Sequence, residues 1–286
     1  MLEALPQIFF NGVLVGASYA LIAMGLTVIF GLMNIANFAH GQFYMMGGFL
    51  AFYLTTELSL NFFLALPAAV AIVVAFGILL DRTVFKRLRG KPLISSVLVT
   101  IGLAILLENL ALVLWGPRPA AIPNPLSPDP VQIGPIFTTE PRLFAVGVTV
   151  VVIALVHTLL HHTRTGKAMR ATFQQQEAAA LSGINIDRLY SLAFGVGAGL
   201  AALGGVLLGA IFYVNPSMGG VATLKAFIVT ILGGMGSFVG AIVGGLLLGL
   251  AESFGTLWSS AYKDAIGFVL VILILLYRPD GLFRKV

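Results

Sequence analysis

Between Glu3 and Glu57 the chain contains no Asp, Glu, Lys or Arg. A run of that length without a formal charge cannot supply the surface of a domain surrounded by water, and similar gaps extend from Glu57 to Asp81, Arg142 to Arg164 and Arg188 to Lys225. Each gap holds a span of about 20 apolar residues, the length needed to cross a bilayer as a helix. The composition agrees: 59% of the residues are hydrophobic and 9% are charged, against roughly 25% charged in ordinary soluble domains. A soluble globular protein is excluded. The first gap is too long for a signal-peptide core, and Met1-Leu2-Glu3 carries no basic flank, so no cleaved segment is expected.

Apolar spans are predicted at about 8–31, 35–56, 62–80, 94–115, 143–161, 189–212, 238–257 and 264–277, with a shorter piece at 224–234. Unbroken apolarity rich in glycine favours helices over a barrel, whose strands would alternate every second residue. The expected fold is an all-α integral membrane protein, a polytopic bundle of about eight to nine transmembrane helices with broken helices. Its surface partner is membrane lipid.

There are no cysteines, which excludes disulfides, thiolate metal sites and a cysteine nucleophile. The net charge of +5 does not point to nucleic acid, because the basic residues cluster at the ends of apolar spans rather than on an aromatic-interleaved face. Arg82, Lys86, Arg87, Arg89 and Lys91 follow the third span; Arg164, Lys167, Arg170 and Arg188 lie between the fifth and sixth; Arg278, Arg284 and Lys285 close the chain. By the positive-inside rule these segments are cytoplasmic. The N-terminus is then expected outside and the C-terminus inside, with 224–234 and 238–257 forming a hairpin from the outer side. Its first arm either crosses fully or enters part way.

The segment 116–142 falls outside and holds eight prolines, among them Pro117, Pro123, Pro128 and Pro135. Proline lacks a backbone donor, so the segment is expected as an extended loop rather than a helix or central strand. It reads equally as a spacer or as a docking surface. Small-xxx-small spacings at Gly195/Gly199, Gly205/Gly209, Gly240/Gly244 and Gly245/Gly249 predict close helix packing, within this chain or against another.

Two interruptions stand out. Gly31-Leu32-Met33-Asn34-Ile35-Ala36-Asn37-Phe38-Ala39-His40-Gly41 breaks one apolar run, and Gly233-Gly234-Met235-Gly236-Ser237 breaks another. Irregular backbone at membrane depth is tolerated only where protein buries it or water reaches it, and paired breaks in the two halves point to a transport site. Asn37, His40 and Gly41, with Gly233, Gly234 and Gly236, are therefore the substrate-path residues, offering amides but no fixed charge.

No catalytic constellation emerges. His157, His161 and His162 have metal-like spacing but no acidic residue nearby, so no metal and no cofactor is expected. Glu108 and Glu252 are intramembrane acids, without an obvious basic partner in a neighbouring span. In 163–188, Thr172 and Gln175 form a capping box, Ala178 to Ala180 propagate a helix and Gly183 ends it; Asp187 is expected to cap the next span. A helix of about ten residues is marginal alone and needs a partner surface, most simply a cytoplasmic protein.

Glu177-Ala178-Ala179-x3-Gly183 resembles the first half of the EAA loop of ABC importer permeases, whose cytoplasmic helix fits a groove on the ATP-binding subunit. The second half is replaced by Ala193-Phe194-Gly195-Val196. The company it keeps is Gly25-Leu26-Thr27-Val28-Ile29-Phe30-Gly31, Asn37-Phe38-Ala39-His40-Gly41, Leu181-Ser182-Gly183-Ile184-Asn185 and Tyr277-Arg278-Pro279-Asp280-Gly281-Leu282-Phe283. In that order these are similar to the branched-chain amino acid ABC transporter permeases of the LivH type, across essentially the whole chain.

The resemblance implies a single transmembrane permease domain, 1–286, in a bacterial inner membrane, with 116–142 as its extracytoplasmic loop and 163–188 as its cytoplasmic coupling loop. It implies import of Leu, Ile and Val with two cytoplasmic ATP-binding subunits, a second homologous permease subunit and an extracytoplasmic substrate-binding protein. Glu177, Ala178, Ala179 and Gly183 would couple to the ATPase. No Gly-x4-Gly-Lys-[Ser/Thr] occurs, so the chain is not itself an ATPase. The alternatives are a urea or short-amide permease of the same superfamily, or a self-sufficient ion-coupled transporter or channel.

Overall fold

The computed structural model describes residues 5–257, 263–279 and 281–283, with the backbone alone for Lys263 and Asp264. The helices are α1 (Leu5–Met33), α2 (His40–Thr56), α3 (Phe62–Leu80), α4 (Lys86–Leu88), α5 (Leu93–Trp115), α6 (Glu140–His162), α7 (Arg164–Gln174), α8 (Gln176–Leu181), α9 (Ile186–Ile211), α10 (Met218–Gly233), α11 (Phe238–Gly255) and α12 (Lys263–Tyr277). Among the described residues, six stretches are long and apolar enough to cross a membrane: α1, the run Phe62–Leu88, α5, α6, α9 and α11; Met218–Gly233 and Ala265–Tyr277 are shorter apolar helices. The chain is a multi-pass all-α membrane protein.

Helices α1 and α9 form the centre. Over their most apolar stretch, 78% of each is buried, against 17% for α5 and for α6, whose outward Leu, Ile and Val side chains suit lipid. Close approach of backbones holds the centre together. A side chain at Gly16 would come 2.8 Å from the Gly245 carbonyl of α11, and one at Gly197 of α9 would come 2.7 Å from the Gly25 carbonyl of α1. All four small-xxx-small pairs pack within this chain: Gly195 and Gly199 receive Ile78 and Val74 of α3, Gly205 and Gly209 receive Tyr44 of α2 and Val214, Gly240 and Gly244 face α10, and Gly245 and Gly249 face α1. Without a hydrophobic drive between helices in lipid, such contact surfaces supply the association energy through dispersion.

Several boundaries differ from expectation for identifiable reasons. The third span does not stop at Asp81: a π-helical turn, Asp81–Phe85, carries α3 into α4. The fully buried Asp81 carboxylate is neutralised there by Arg89 Nη2 at 2.7 and 2.8 Å and takes a hydrogen bond from Ser191 Oγ at 2.7 Å. Helix α10 begins at Met218 rather than 224, and Lys225, inside the expected piece, is buried against Glu252 of α11. Glu252 thus has the basic partner in a neighbouring span that its sequence surroundings did not reveal. The proline-rich segment holds a two-stranded ribbon, β1 (Val131–Ile133) paired antiparallel with β2 (Ile136–Thr138). Both are edge strands, and Pro135 sits in their turn, so no ladder hydrogen bond is lost to it. The loop is tied down by Ala120 bridging Val214 and by Gln7 Oε1, which accepts from Phe137 N–H at 2.7 Å.

One end of the bundle gathers the 81–91, 163–188, 234–237 and 281–283 segments. Asp187 pairs with Lys86 at 2.8 Å and with Arg89, and the N–H groups of Leu282 and Phe283 donate to the Leu232 and Gly233 carbonyls at 2.9 and 3.1 Å. The closing Tyr277–Phe283 motif therefore satisfies carbonyls that the C-terminus of α10 would leave without partners. Asp280, Arg284 and Lys285 lie outside the described residues.

Candidate functional site

The two interruptions are genuine breaks, and they differ in depth. Helix α1 stops at Asn34, which adopts φ +51°, and the chain then turns back into the bundle before α2 starts. His40, the first residue of α2, lies against the Ile22 carbonyl, to which its Nε2–H donates at 3.0 Å. Ile22 is eleven residues before Met33, so α2 begins about 16 Å inside the bundle. The irregular stretch is closed on itself and on its neighbours: Asn37 Oδ1 accepts from Ala39 N–H at 3.0 Å, Gly41 N–H donates to Thr223 Oγ1 at 3.0 Å, and Thr100 Oγ1 donates to the Ala36 carbonyl at 3.2 Å. Glycine is required at 41, since a Cβ would overlap the Gly219 carbonyl of α10.

This region also contains buried polar atoms without a hydrogen-bond partner among the described residues: Asn37 Nδ2, His40 Nδ1 and Gln42 Oε1. Asn37 and His40 are fully buried and Gln42 is 1% exposed. Leaving such an atom unsatisfied costs about 1–3 kcal/mol, so a cluster of three marks a place with a use for polar contacts. Gln42 was not singled out in the sequence, because a glutamine one turn into a helix carries no signal of its own. A polar seam continues down α10, where the Thr27 and Thr230 hydroxyls stand 3.3 Å apart.

The second break, Gly233 to Ser237, lies at the end of the bundle and joins α10 to α11. Gly234 and Gly236 have φ of +97° and +89°, a region that costs a residue with a Cβ. Gly233 packs against the Gly240 carbonyl across the hairpin. The sequence-predicted path residues therefore fall into two groups: Asn37, His40 and Gly41 inside the bundle, and Gly233, Gly234 and Gly236 at its end.

The 163–188 loop folds differently from expectation in its details. Thr163, not Thr172, is the cap: its Oγ1 accepts from Gly166 N–H at 3.0 Å, and the helix it starts runs to Gln174. Thr172 is internal to α7, 4% exposed, and its hydroxyl has no partner among the described residues. Extended backbone at Gln175 separates α7 from the six-residue α8. Glu177 and Ala178 are exposed on α8, Ala179 is turned inward, and Leu181 is 91% exposed. Gly183 takes φ +83° as α8 ends. Asn185, rather than Asp187, caps α9 by accepting from Arg188 N–H at 2.9 Å, which leaves Asp187 for its ion pairs with Lys86 and Arg89.

Of the remaining polar residues, His157 and His161 stack at 4.1 Å on the outside of α6, and among the described residues no three His, Cys, Asp or Glu side chains come together as metal ligands would. Glu252 accepts from the Tyr19 hydroxyl at 2.9 Å besides its pairing with Lys225, and it lines a cleft of about 220 Å³ with Asn11, Ser253 and Thr256. A larger cleft, of about 300 Å³, opens beside α7 and is walled by Thr27, Leu32, Phe173 and the Gly236–Val239 turn.

A family profile described as "Branched-chain amino acid transport system / permease component" matches residues 8–275. The chain is 36% identical to the high-affinity branched-chain amino acid transport system permease protein BraD of Pseudomonas aeruginosa, covering 96% of this chain and 94% of that one. It is 35% identical to LivH of Escherichia coli, covering 98% and 95%. LivM of Salmonella typhimurium is 28% identical over 92% of this chain and 67% of its own length. Among solved structures, PsaBC from Streptococcus pneumoniae in complex with Fab aligns with a TM-score of 0.50 at 14% identity, covering 95% of this chain and 90% of that one, a likeness of fold alone. With the profile running through both breaks and the whole 163–188 loop, the chain belongs to the branched-chain amino acid transport system permease family.

Proposed function

We propose that the chain is the membrane-spanning permease subunit of an ATP-binding-cassette importer that carries Leu, Ile and Val across a bacterial inner membrane. The observation that carries this reading is identity of 35–36% to permeases named for high-affinity branched-chain amino acid transport, along nearly the whole chain. The importer would also contain two ATP-binding subunits on the cytoplasmic side, a second homologous permease and an extracytoplasmic binding protein. The six membrane-length helices and the shorter α10 and α12 would be embedded, together with α2, which would start at mid-depth. The end that gathers 81–91, 163–188 and 281–283 would face the cytoplasm, a reading supported by the Lys and Arg concentrated in those segments. The 116–142 loop would lie on the other side, near the binding protein.

The 163–188 loop would dock the ATPase through α8. Glu177, Ala178 and the exposed Leu181 form its outward surface, Ala179 anchors it inward, and left-handed Gly183 turns the chain sharply back into α9. ATP-driven closure of the paired ATPases would push on this ledge and shift the bundle between inward and outward openings, a population shift driven by differential affinity. The substrate route would pass the start of α2, where Asn37, His40 and Gly41, joined by Gln42, offer polar contacts to a zwitterion among apolar walls. Gly233, Gly234 and Gly236 would let the α10–α11 turn move at the inner mouth. Pairing of Glu252 with Lys225 argues against a free intramembrane carboxyl carrying protons.

The test is purification of the tagged chain from its native membrane in gentle detergent, with mass spectrometry of the co-purifying chains. Two ATPase chains and a second permease are expected, and Gly183→Val should lose the ATPase chains or uncouple them while the permeases stay in the membrane. A chain that purifies alone and moves substrate into vesicles without ATP would overturn the reading.

A further inference from the structure

Phe173, at the last turn of α7, reaches from the 163–188 loop to both breaks at once. Its ring lies directly over Gly31, in the last turn of α1, so closely that a Cβ at 31 would occupy the same space. It also lies over Gly236 of the α10–α11 turn, where a Cβ would be 2.8–2.9 Å from the ring. Two glycines from opposite halves of the chain thus form a slot for one aromatic side chain. The ring packs further against the buried cluster of Val28, Leu32, Met169 and Tyr190, and its open side faces the 300 Å³ cleft.

Helix α7 is fastened to the end of α6. Thr163 caps it, Gly166 packs on the Leu159 and Leu160 carbonyls, and the Arg170 guanidinium donates to the Leu160 carbonyl. At its other end α7 is joined to α8 by the single extended residue Gln175, whose N–H donates to Ala171 and whose carbonyl accepts from Ala179 N–H. From Gly166 to Phe173 is about 10 Å along the helix. A tilt of about 10° about the Gly166 contact therefore moves the ring by about 2 Å, enough to forfeit most of its dispersion contact with either glycine.

We propose that Phe173 is the transmission residue of the importer: a wedge that converts displacement of the ATPase-docking loop into opening or closing between the inner ends of α1 and the α10–α11 turn. This rests on the coupling role proposed above for 163–188 and adds the contact through which the push enters the bundle. The positions of Gly31 and Gly236 follow from it, since a Cβ at 31 would overlap the ring and one at 236 would force it to shift.

The experiment uses the complete importer in proteoliposomes with its binding protein. Phe173→Ala should keep the ATPase subunits bound and basal ATP hydrolysis within about twofold of the unaltered complex, while uptake falls at least about tenfold; Phe173→Leu should restore most of it. A merely structural side chain would not separate hydrolysis from uptake in this way. Because the chain has no cysteine, the pair Gln174→Cys with Ser237→Cys, both on the cleft wall, reports the movement with Phe173 intact. Its cross-linking yield should differ between nucleotide-free and ATP-bound states. Uptake by Phe173→Ala close to that of the unaltered importer, or equal cross-linking in both states, overturns the wedge. If Gly183→Val abolishes coupling while Phe173→Ala is silent, only the wedge fails; if Gly183→Val is silent too, the coupling reading fails with it.

Discussion

The pair Lys225–Glu252 ties α10 to α11, and Tyr19 of α1 donates to the same carboxylate at 2.9 Å. Each charged side chain is 6% exposed, and Glu252 stands about 22 Å along α11 from the Ser237 turn. Lys225→Met leaves a carboxylate with its second hydrogen bond but no counter-charge, which should cost about 3–5 kcal/mol. Tyr19→Phe removes one charge-assisted hydrogen bond and should cost about 1.5–3 kcal/mol. Glu252→Gln alone should also destabilise, but Lys225→Met with Glu252→Gln should cost clearly less than the two singles together, with a coupling of at least about 2 kcal/mol. Unfolding in mixed micelles by titration with denaturing detergent, followed by fluorescence of the two tryptophans, measures each corner of the cycle. Additive costs within about 0.5 kcal/mol would refute the reasoning, because they would mean that the two groups are held by something other than each other.

Helix packing gives a contrasting pair. Gly249→Ala would place a methyl on the Gly16 backbone and should cost about 1–3 kcal/mol, whereas Gly147→Ala, with nothing within 4 Å, should be neutral or up to about 1 kcal/mol stabilising; the same titration decides, and equal effects would remove the case for the α1–α11 seam. Asp81→Leu strips the buried acceptor from Arg89 and Ser191; trypsin should then cut after Arg89 at least about tenfold faster, as a local opening cheaper by about 1.4 kcal/mol would allow, and an unchanged rate would disprove that Asp81 holds this segment in place. At normal expression, His40→Ala and Asn37→Ala should each reduce uptake at least about threefold while the complex assembles, and normal uptake by both would take the start of α2 out of the path.

What could be read from the sequence was set by local chemistry. Charge-free runs found nearly every helix, and left-handed glycines at 183, 234 and 236 fell at turns, because the cost of a Cβ there is a property of one residue. Errors occurred where a distant residue changed the local balance. Asp81 read as the end of a helix because Arg89 and Ser191 could not be placed beside it, and Glu252 read as unpartnered because Lys225 lies 27 residues away. Thr172 fits a capping box, yet Thr163 took that role because Gly166 can press against the Leu159 and Leu160 carbonyls. The amide that Thr172 would have capped, that of Gln175, is taken instead by the Ala171 carbonyl.

Apolarity could not tell the inside of the bundle from the outside. Helices α5 and α6 are at least as apolar as α1 and α9, yet α1 and α9 are the buried ones. In lipid, moving a Leu from the tails to a helix interface gains little, so what selects the interior is how closely backbones can approach. Glycine content follows burial accordingly: six in α9 and one each in α5 and α6. The same logic explains why Phe173 was invisible. An aromatic on an amphipathic helix reads as core, and a glycine beside a break reads as a turn. Only where Gly31 and Gly236 stand over one ring do the three acquire a joint meaning, and a one-dimensional pattern does not carry that meeting.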